Sequence, residues 1–399
     1  MSLNSTQNAE RLHIGFFGVR NAGKSSLVNA VTGQDLAVVS DYAGTTTDPV
    51  KKAMELLPLG PVVIIDTAGI DDEGELGEMR VKKTKNALNL TDVAVLVCDA
   101  TKGLTTYDDE LISIFENKRI PYVIAYNKSD LKRSVDNRPN TINVSAATGE
   151  NIYELKELIA SLLKTEEDKK TILGDLVEKG DRVVLVTPID ASAPKGRLIL
   201  PQVQTLRELL DIGAVTTVVQ IDELSSALEQ HPKLVITDSQ AFGKVSRLVP
   251  KTIMLTSFSI LFARYKGDLE ETVKGVTKLK SLNDGDTVLI SEGCTHHRQC
   301  GDIGTVKLPK WIEDFTGKRL NFRFTSGTEF PETLDGISLV VHCGACMLNK
   351  REMQYRTRHT VDSGVPITNY GITIAYTHGI LERSLEVFPN IKKYLEDQR

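Results

Sequence analysis

Near its start the chain carries the octapeptide Gly18-Val19-Arg20-Asn21-Ala22-Gly23-Lys24-Ser25. This stretch fits G-x-x-x-x-G-K-[ST], the phosphate-binding P-loop. An apolar run at 12–17 predicts a buried strand before it, and residues 26–31 predict a helix after it. Because backbone N–H groups at such a strand–loop–helix turn bind phosphate oxygens, the sequence predicts a nucleotide site. The predicted nucleotide-binding residues of this stretch are Asn21, Ala22, Gly23, Lys24, Ser25 and Ser26.

Two later motifs are typical of the Mg²⁺ and γ-phosphate side of that site. The polar loop 41–49 contains Thr45 and Thr46, of which we favour Thr46 as the residue that closes over Mg²⁺. An apolar strand then ends in the D-x-x-G pattern at 66–69. In P-loop GTPases these motifs and the P-loop Ser hold the metal and sense the γ-phosphate. The predicted Mg²⁺ residues are therefore Ser25, Thr46 and Asp66, with the Gly69 amide on the γ-phosphate.

The pattern N-K-x-D at 127–130 predicts which base the nucleotide carries. The Asp130 carboxylate can accept hydrogen bonds from N1–H and the 2-amino group of guanine, and adenine offers neither donor. A buried acceptor left without a partner costs about 1–3 kcal/mol or more, so the predicted ligand is GTP rather than ATP. An S-A-x turn at 145–147 is expected to lie behind the base. The predicted base-site residues are Asn127, Lys128, Asp130, Ser145 and Ala146.

These motifs, in this order and each at the end of a strand, make the first ~165 residues resemble translation-factor-class GTPases, nearest to the Era/TrmE-like branch. Ile70 stands where Ras-like enzymes carry the glutamine that orients the attacking water. Relatives in this branch hold K⁺ through a P-loop asparagine. The resemblance therefore implies that K⁺ at Asn21 supplies the charge that an arginine finger supplies elsewhere.

Length and composition indicate a cytoplasmic chain of two or three domains. Its 399 residues exceed one ordinary core, and 41% hydrophobic with 25% charged residues is typical of soluble globular proteins. The net charge of −5 argues against a nucleic-acid partner, no run is long enough to span a membrane, and the polar start does not fit a signal peptide. Four of the five cysteines lie within 294–346, which favours metal over disulfides.

Two cysteine groups each follow a predicted strand. The strand at 287–291 precedes Cys294, His296 and Cys300, and the strand at 336–341 precedes His342, Cys343 and Cys346. Open α/β sheets bind ligands at the carboxyl ends of their strands, so the two groups converge if these strands are neighbours. The spacing alone leaves a zinc site, an iron–sulfur site and a redox pair open.

The segments C-x-H at 294–296 and H-C-x-x-C at 342–346, joined to a GTPase domain, resemble the [FeFe]-hydrogenase maturation GTPases over the whole chain. The resemblance implies a [4Fe–4S] cluster on Cys294, Cys343 and Cys346, with an exchangeable group on the fourth iron. We expect His296 and His342 near the cluster, either as ligands or as supporting donors, and we favour supporting donors. Cys300 is expected to be a non-ligand. The family further implies a scaffold that receives a transient diiron precursor from two radical-SAM maturases and passes it to apo [FeFe]-hydrogenase.

The predicted fold class is α/β with three domains. Residues 1–168 form a P-loop GTPase domain with a parallel sheet, 169–265 a small parallel βαβ dimerisation domain, and 266–399 an α/β cluster-binding domain. The middle domain shows no chemical constellation; a lost binding site and an association surface both fit, and we favour association as a homodimer. The alternative function is a regulatory GTPase of ribosome or tRNA with a structural zinc or redox-sensing cysteine domain, and the acidic balance counts against it.

The potassium site at Asn21 predicts a salt-specific rate of GTP hydrolysis. Phosphate release should be faster in KCl than in NaCl at equal ionic strength, because K⁺ supplies positive charge that Ile70 cannot. Asn21→Ala should abolish the difference between the two salts. Equal rates in both salts for the unmodified chain would contradict the prediction.

Overall fold

The computed structural model describes residues 8–34, 50–67, 84, 86–163, 171–189, 198–293, 303–327, 329–345 and 347–397. The chain divides into two compact units, 1–168 and 169–399. Each unit is an α/β structure built on parallel strands, so the predicted fold class is confirmed. Within the described parts of the chain, no helix combines the length and the apolar character that a membrane span requires.

The first unit is a six-stranded sheet with helices on both faces. Its strand order is β2-β3-β1-β4-β5-β6, and all pairs are parallel except β2 with β3. Every residue of β4 is buried, because parallel strands covered on both faces read as continuous apolar runs. The elements are β1 Leu12–Phe17, α1 Lys24–Thr32, β2 Val50–Leu56, β3 Gly60–Asp66, β4 Val93–Asp99, α2 Thr106–Asn117, β5 Tyr122–Asn127, β6 Thr141–Asn143 and α3 Ile152–Leu162.

The second unit contains two four-stranded parallel sheets, of order β10-β9-β7-β8 and β12-β11-β13-β14. The first sheet and its helices are β7 Arg182–Val186, α4 Leu200–Ile212, β8 Val215–Val219, α5 Leu224–Leu228, β9 Leu234–Thr237, α6 Phe242–Leu248, β10 Met254–Ser257, α7 Phe258–Lys266 and α8 Leu269–Val276. The second comprises β11 Thr287–Ser291, α9 Leu308–Thr316, β12 Asn321–Thr325, β13 Leu339–His342, α10 Lys350–Asp362, β14 Ile367–Asn369, α11 Tyr370–Thr377, α12 Leu381–Ser384 and α13 Pro389–Asp397.

The strand β13 differs from its predicted extent of 336–341. It begins at Leu339 and ends with His342. Gly336 has a φ of +73°, so it belongs to the turn before the strand rather than to the strand. His342 therefore has a fixed place in the sheet, and the loop begins only at Cys343.

The two sheets of the second unit are copies of one folding pattern. In each, the first strand lies between the second and the third, and the fourth lies outside the third. After the fourth strand the sequences also correspond, because 256–270 reads TSFSILFARYKGDLE and 368–382 reads TNYGITIAYTHGILE. The N-caps of the helices α7 and α11 match as well. The Ser257 side chain accepts from the Ile260 N–H, and the Asn369 side chain accepts from the Ile372 N–H. We conclude that the second unit is an internal duplication.

The two copies exchange helices. Helix α8 packs against β14 of the other copy, and α12 packs against β10. A Cβ atom on Gly275 would lie 1.9 Å from the Ile367 carbonyl oxygen, so only glycine permits the close approach of α8. The Thr256 hydroxyl donates to the Ser384 carbonyl at 2.9 Å on the other side. Each copy is therefore completed by a segment of the other.

One hydrophobic core connects both copies. Its buried side chains run from Ile172 to Leu395 and include one apolar face of each sheet. The predicted boundary between 265 and 266 lies at the end of α7, inside this core. The assignment of dimerisation to one part and cluster binding to the other stays a prediction.

The shared core predicts that residues 169–399 form one folding unit. A fragment of these residues should unfold in a single cooperative transition, because both sheets bury side chains in the same core. A fragment ending at residue 265 should lose that transition, since it lacks α8 and α12. Urea titrations followed by circular dichroism measure both fragments. Equal midpoints would show that the first sheet folds independently.

Candidate nucleotide and metal sites

The P-loop adopts a conformation that its glycines make possible. Gly18 and Gly23 have φ angles of +139° and +88°, a region that L side chains rarely adopt. A Cβ atom would lie 2.3 Å from the Val97 carbonyl oxygen at Gly18 and 2.2 Å from the Asn127 amide nitrogen at Gly23. Helix α1 begins directly after the loop at Lys24. The predicted strand–loop–helix arrangement is therefore present.

The ammonium of Lys24 is buried against the P-loop. Its Nζ donates to the carbonyl oxygens of Gly18 at 2.9 Å and Val19 at 2.8 Å, and the residue is only 7% exposed. This places a cation within the loop at the N-terminus of α1. Both the charge and the helix terminus favour an anion such as a phosphate group.

Ser25 and Asp66 form the oxygen pair expected for Mg²⁺. The Ser25 Oγ donates to Asp66 Oδ2 at 2.9 Å. The other oxygen, Oδ1, is buried and has no hydrogen-bond partner among the described residues. Burial raises the pKa of Asp66, while the Ser25 hydrogen bond and the Lys24 charge oppose the rise. Because a hydroxyl and an unsatisfied carboxylate oxygen are hard donors, the pair fits Mg²⁺.

The N-K-x-D residues form hydrogen bonds to the P-loop on one side and to the S-A-x turn on the other. Asn127 donates to the Ala22 carbonyl at 3.1 Å and accepts from the Ala146 N–H at 3.0 Å. Lys128 has a φ of +66°, and its Nζ donates to the Asn21 carbonyl at 3.0 Å and to Asp99 at 2.6 Å. The structure thus brings the predicted phosphate and base residues together.

Asp130 is exposed at the rim of this arrangement. Its Oδ1 accepts a hydrogen bond from the Ser145 hydroxyl at 2.6 Å. The same Ser145 oxygen accepts from the Thr148 N–H at 3.2 Å, which fixes the turn behind it. Asp130, Ser145 and Ala146 lie together at this rim, and their role in binding guanine stays a prediction. The predicted residues that lie outside the described parts of the chain are Thr45, Thr46, Gly69, Cys294, His296 and Cys346, together with Ile70 and Cys300.

The strands that precede the two cysteine groups are neighbours. β11 pairs with β13 in parallel, with Ser291 opposite His342. One residue beyond the strand, the Cys343 N–H donates to the Ser291 carbonyl at 2.9 Å. The strands are neighbours, which is the condition given above for the two cysteine groups to start at the same sheet edge.

Cys343 has the surroundings of a metal-binding thiolate. Its Sγ accepts hydrogen bonds from the Gly293 N–H at 3.0 Å and from the Ala345 N–H at 3.4 Å. Backbone amides that donate to sulfur stabilise the thiolate and tune the potential of iron–sulfur clusters. Soft sulfur donors select iron–sulfur clusters, Zn²⁺ or Cu⁺. The donor chemistry at Cys343 therefore fits the cluster that the resemblance implies.

His342 is buried and neutral beside this thiol. Its Nε2 lies 3.1 Å from Arg356 Nη1 and its Nδ1 lies 2.9 Å from the Cys343 carbonyl oxygen. Because a guanidinium only donates, Nε2 accepts and the ring proton is assigned to Nδ1. Burial and the Arg356 charge lower the pKa of His342 to about 3. The Nδ1–H of His342 therefore donates to the Cys343 carbonyl, and the lone pair of Nε2 accepts a hydrogen bond from Arg356.

Arg356 is a site residue that the sequence analysis missed. It is fully buried on α10 and forms an ion pair with Glu352 at 2.7 Å. Its other nitrogens reach the Ser291 hydroxyl at 3.3 Å and the Gly327 carbonyl at 2.8 Å. One side chain therefore holds α10, β11, β13 and the loop after β12 at the same sheet edge. The spacing of Glu352 and Arg356, close behind H-C-x-x-C, is the signal that points to it.

Family models match the chain on both sides of the boundary between its two compact units, at residues 168 and 169. A 50S ribosome-binding GTPase family model matches residues 13–128, so the first unit is a GTPase domain. Models of the hydrogen maturase F dimerization domain and tetramerization domain match residues 172–267 and 270–387. The last two together cover more than half of the chain. The chain belongs to the hydrogen maturase F (HydF) family.

The curated relatives match over part of the chain. The tRNA modification GTPase MnmE of Clostridioides difficile is 33% identical over 155 residues, which is 37% of this chain and 33% of that protein. MnmE of Thermoanaerobacter sp. strain X514 is 32% identical over 236 residues, 56% of this chain and 48% of that protein. The chain thus spans a third to a half of the length of these relatives.

The solved structures that match include two further nucleotide-binding proteins. A crystal structure of an Aquifex aeolicus Era variant bound to GDP.AlF4- is 20% identical and has a TM-score of 0.35. The match covers 59% of this chain and 97% of that chain. The G domain of the T. maritima FeoB iron transporter is 22% identical, with a TM-score of 0.30 and coverage of 39% and 99%.

The buried ion pair predicts a large effect of removing one partner. Arg356→Met should lower the free energy of unfolding by about 3–5 kcal/mol, because Glu352 then stays buried without its counter-ion. The control is Arg207→Met, which breaks an exposed i,i+4 pair with Asp211 and should cost less than about 1 kcal/mol. Urea unfolding of both variants measures the difference. A loss at Arg356 no larger than at Arg207 would contradict the structural role.

Proposed function

We propose that the chain is a GTP-hydrolysing maturation factor for [FeFe]-hydrogenase, with a [4Fe–4S] cluster on Cys294, Cys343 and Cys346. On this proposal it receives a transient diiron precursor from radical-SAM maturases and delivers it to apo-hydrogenase. Membership of the hydrogen maturase F family supports the process. The observation that carries the cluster is the Cys343 sulfur, which accepts two backbone hydrogen bonds at a sheet edge.

The nucleotide chemistry follows from the described P-loop residues. Lys24 and the N-terminus of α1 would bind the β- and γ-phosphates, and Ser25 and Asp66 would hold Mg²⁺. Thr46, which lies outside the described residues, is the further Mg²⁺ residue that we propose. The metal offsets phosphate charge when bound. Asn21, whose carbonyl accepts from Lys128, is the proposed K⁺ residue. Asp130 selects guanine with Ser145 behind it.

The cysteine chemistry follows from the number of thiolates. As the family resemblance implies, three thiolates would hold three irons of a [4Fe–4S] cluster and would leave the fourth iron to an exchangeable group. Such a position lets the site take up a metal-containing cargo and release it again. His342 supports the Cys343 backbone, and we assign His296 the same kind of supporting role. Cys300 stays outside the ligand set.

We also propose that the chain associates through the sheet β7–β10. Its edge strand β8 leaves Val215 and Val218 half exposed, at 50% and 41%. An apolar edge strand is a ready surface for pairing with another chain, and the matching family model describes this part as a dimerization domain. The proposed partner is a second copy, which gives a homodimer. No nucleic-acid or membrane partner is proposed, and the proposed compartment is the cytoplasm.

The cluster assignment predicts which cysteines are needed. Replacing Cys294, Cys343 or Cys346 by Ser should abolish stable cluster assembly, because each thiolate holds one iron, whereas GTP hydrolysis should persist. Cys300→Ser is the matched control and should keep the cluster. Iron and sulfide content after anaerobic reconstitution, with phosphate release, measures both activities.

Other results would redirect the assignment. Zinc in place of iron in the unmodified chain would favour a structural zinc domain. A reversible Cys343–Cys346 disulfide without metal would favour a redox sensor. Loss of the cluster in Cys300→Ser would mean that four thiolates close the cube and leave no exchangeable position.

A further inference from the structure

The strand β4 ends in a buried aspartate that the nucleotide motifs do not include. Asp99 is the last residue of β4, which pairs with β1 on one side and with β5 on the other. The P-loop follows β1, and the N-K-x-D motif begins at Asn127, the last residue of β5 and the partner of Asp99 in the ladder. The Asp99 side chain is only 6% exposed. A carboxylate therefore lies at the sheet edge from which both parts of the nucleotide site begin.

Both carboxylate oxygens of Asp99 accept hydrogen bonds. Oδ2 accepts from the Lys128 ammonium at 2.6 Å. Oδ1 accepts from the Thr101 N–H at 2.9 Å and from the Thr101 hydroxyl at 2.6 Å. Burial raises the pKa of Asp99, but the hydrogen bonds from Lys128 and Thr101 more than offset that rise, so the pKa lies below its usual value. The group is thus an anion that is held from two sides.

The ammonium of Lys128 joins this carboxylate to the P-loop. Its Nζ also donates to the Asn21 carbonyl at 3.0 Å. Lys128 and Asn21 have φ angles of +66° and +60°, a region that residues other than glycine rarely adopt. Such conformations persist only where surrounding contacts hold them. The two hydrogen bonds of the Lys128 ammonium, one to Asp99 and one to Asn21, supply contacts of this kind.

Asp99 has two opposite effects on an anionic ligand. Its negative charge lowers the positive potential near the P-loop and so opposes phosphate binding. Its ion pair keeps the Lys128 ammonium against the P-loop and so preorganises the loop for a nucleotide. The Lys128 side chain is 34% exposed, and a flexible, strongly hydrated ammonium without this partner would turn toward water. Because Thr101 already fixes Asp99, we expect the preorganising effect to be the larger one.

We propose that Asp99 is a positioning residue of the nucleotide site: it holds Lys128, and through Lys128 the P-loop at Asn21, in the conformation that binds a guanine nucleotide. This inference rests on the proposed assignment of the P-loop and N-K-x-D residues to nucleotide binding. The ligand class is a nucleoside diphosphate or triphosphate, and Asp99 acts on both through Lys128. The hydrolysis step depends on the γ-phosphate side of the site, so Asp99 affects affinity rather than the rate at saturation.

A double-mutant cycle on the full chain tests the proposal. Asp99→Asn keeps the size of the side chain and an acceptor for Thr101 but removes the charge that holds Lys128. It should raise the Kd for GDP and the KM for GTP about tenfold, because a hydrogen bond between charged groups is lost, while kcat should change less than about twofold. Lys128→Met should raise the Kd at least as much. Adding Asp99→Asn to Lys128→Met should cause no further loss, because the two residues act as one unit.

Two further variants separate positioning from folding. Asp136→Asn is the matched control, because Asp136 also accepts from a buried partner and pairs with a cation, here Tyr126 and Arg138. It should leave the Kd for GDP unchanged. Thr101→Val removes the hydroxyl that fixes Asp99 at an exposed position and should raise the Kd about threefold. Urea unfolding of each variant shows whether it is folded, and if Asp99→Asn is not, Thr101→Val decides through the same Kd.

The outcomes separate the proposed site from the role of Asp99. An unmodified chain that binds neither GDP nor GTP would overturn the proposed nucleotide site, and this inference with it. Unchanged affinity in folded Asp99→Asn would overturn the positioning role alone, and tighter binding would show that the charge of Asp99 matters more than its hold on Lys128. Additive losses in the double mutant, or an equal loss in Asp136→Asn, would also contradict the proposal.

Discussion

The cysteine site depends on the parallel backbone ladder between β11 and β13. Parallel strands end at the same edge of a sheet, and here Ser291 lies opposite His342. The Cys343 N–H extends the ladder by one further bond to the Ser291 carbonyl. That bond brings Cys343 next to Gly293, whose N–H then reaches the sulfur. A slip of one residue would turn the side chain to the other face and remove this arrangement.

Two buried cations lie at and near this strand end. Arg356 of α10 donates to the His342 ring, and Lys266 of α7 donates to the Leu348 carbonyl in the loop that follows. Buried charges of this kind are stable only where partners surround them, so both depend on the shared core. The exchange of α8 and α12 between the copies holds the two sheets in one unit. The association surface proposed at β8 and Cys343 therefore lie in the same compact unit.

The sequence predicted best what depends on short motifs. The P-loop, N-K-x-D and S-A-x residues come together because each lies at the end of a strand in one parallel sheet, and their chemistry follows from residue type. Lys266 and Arg356 were not predicted. A lysine in the last turn of a helix and a Glu–Arg pair at i,i+4 are ordinary on exposed helices, and only tertiary packing buries them here. The duplication was not predicted from the sequence, and the boundary predicted at 265 and 266 falls inside the core that both copies share.

We propose above all that a thiolate-bound iron cluster lies at the carboxyl ends of β11 and β13. Crystals of the anaerobically reconstituted chain, measured on both sides of the iron absorption edge, test it most directly. We predict iron anomalous density in contact with the Cys343 sulfur, with Cys294 and Cys346 completing three thiolate ligands. Zinc density at that position, or iron bound only elsewhere on the chain, would contradict it.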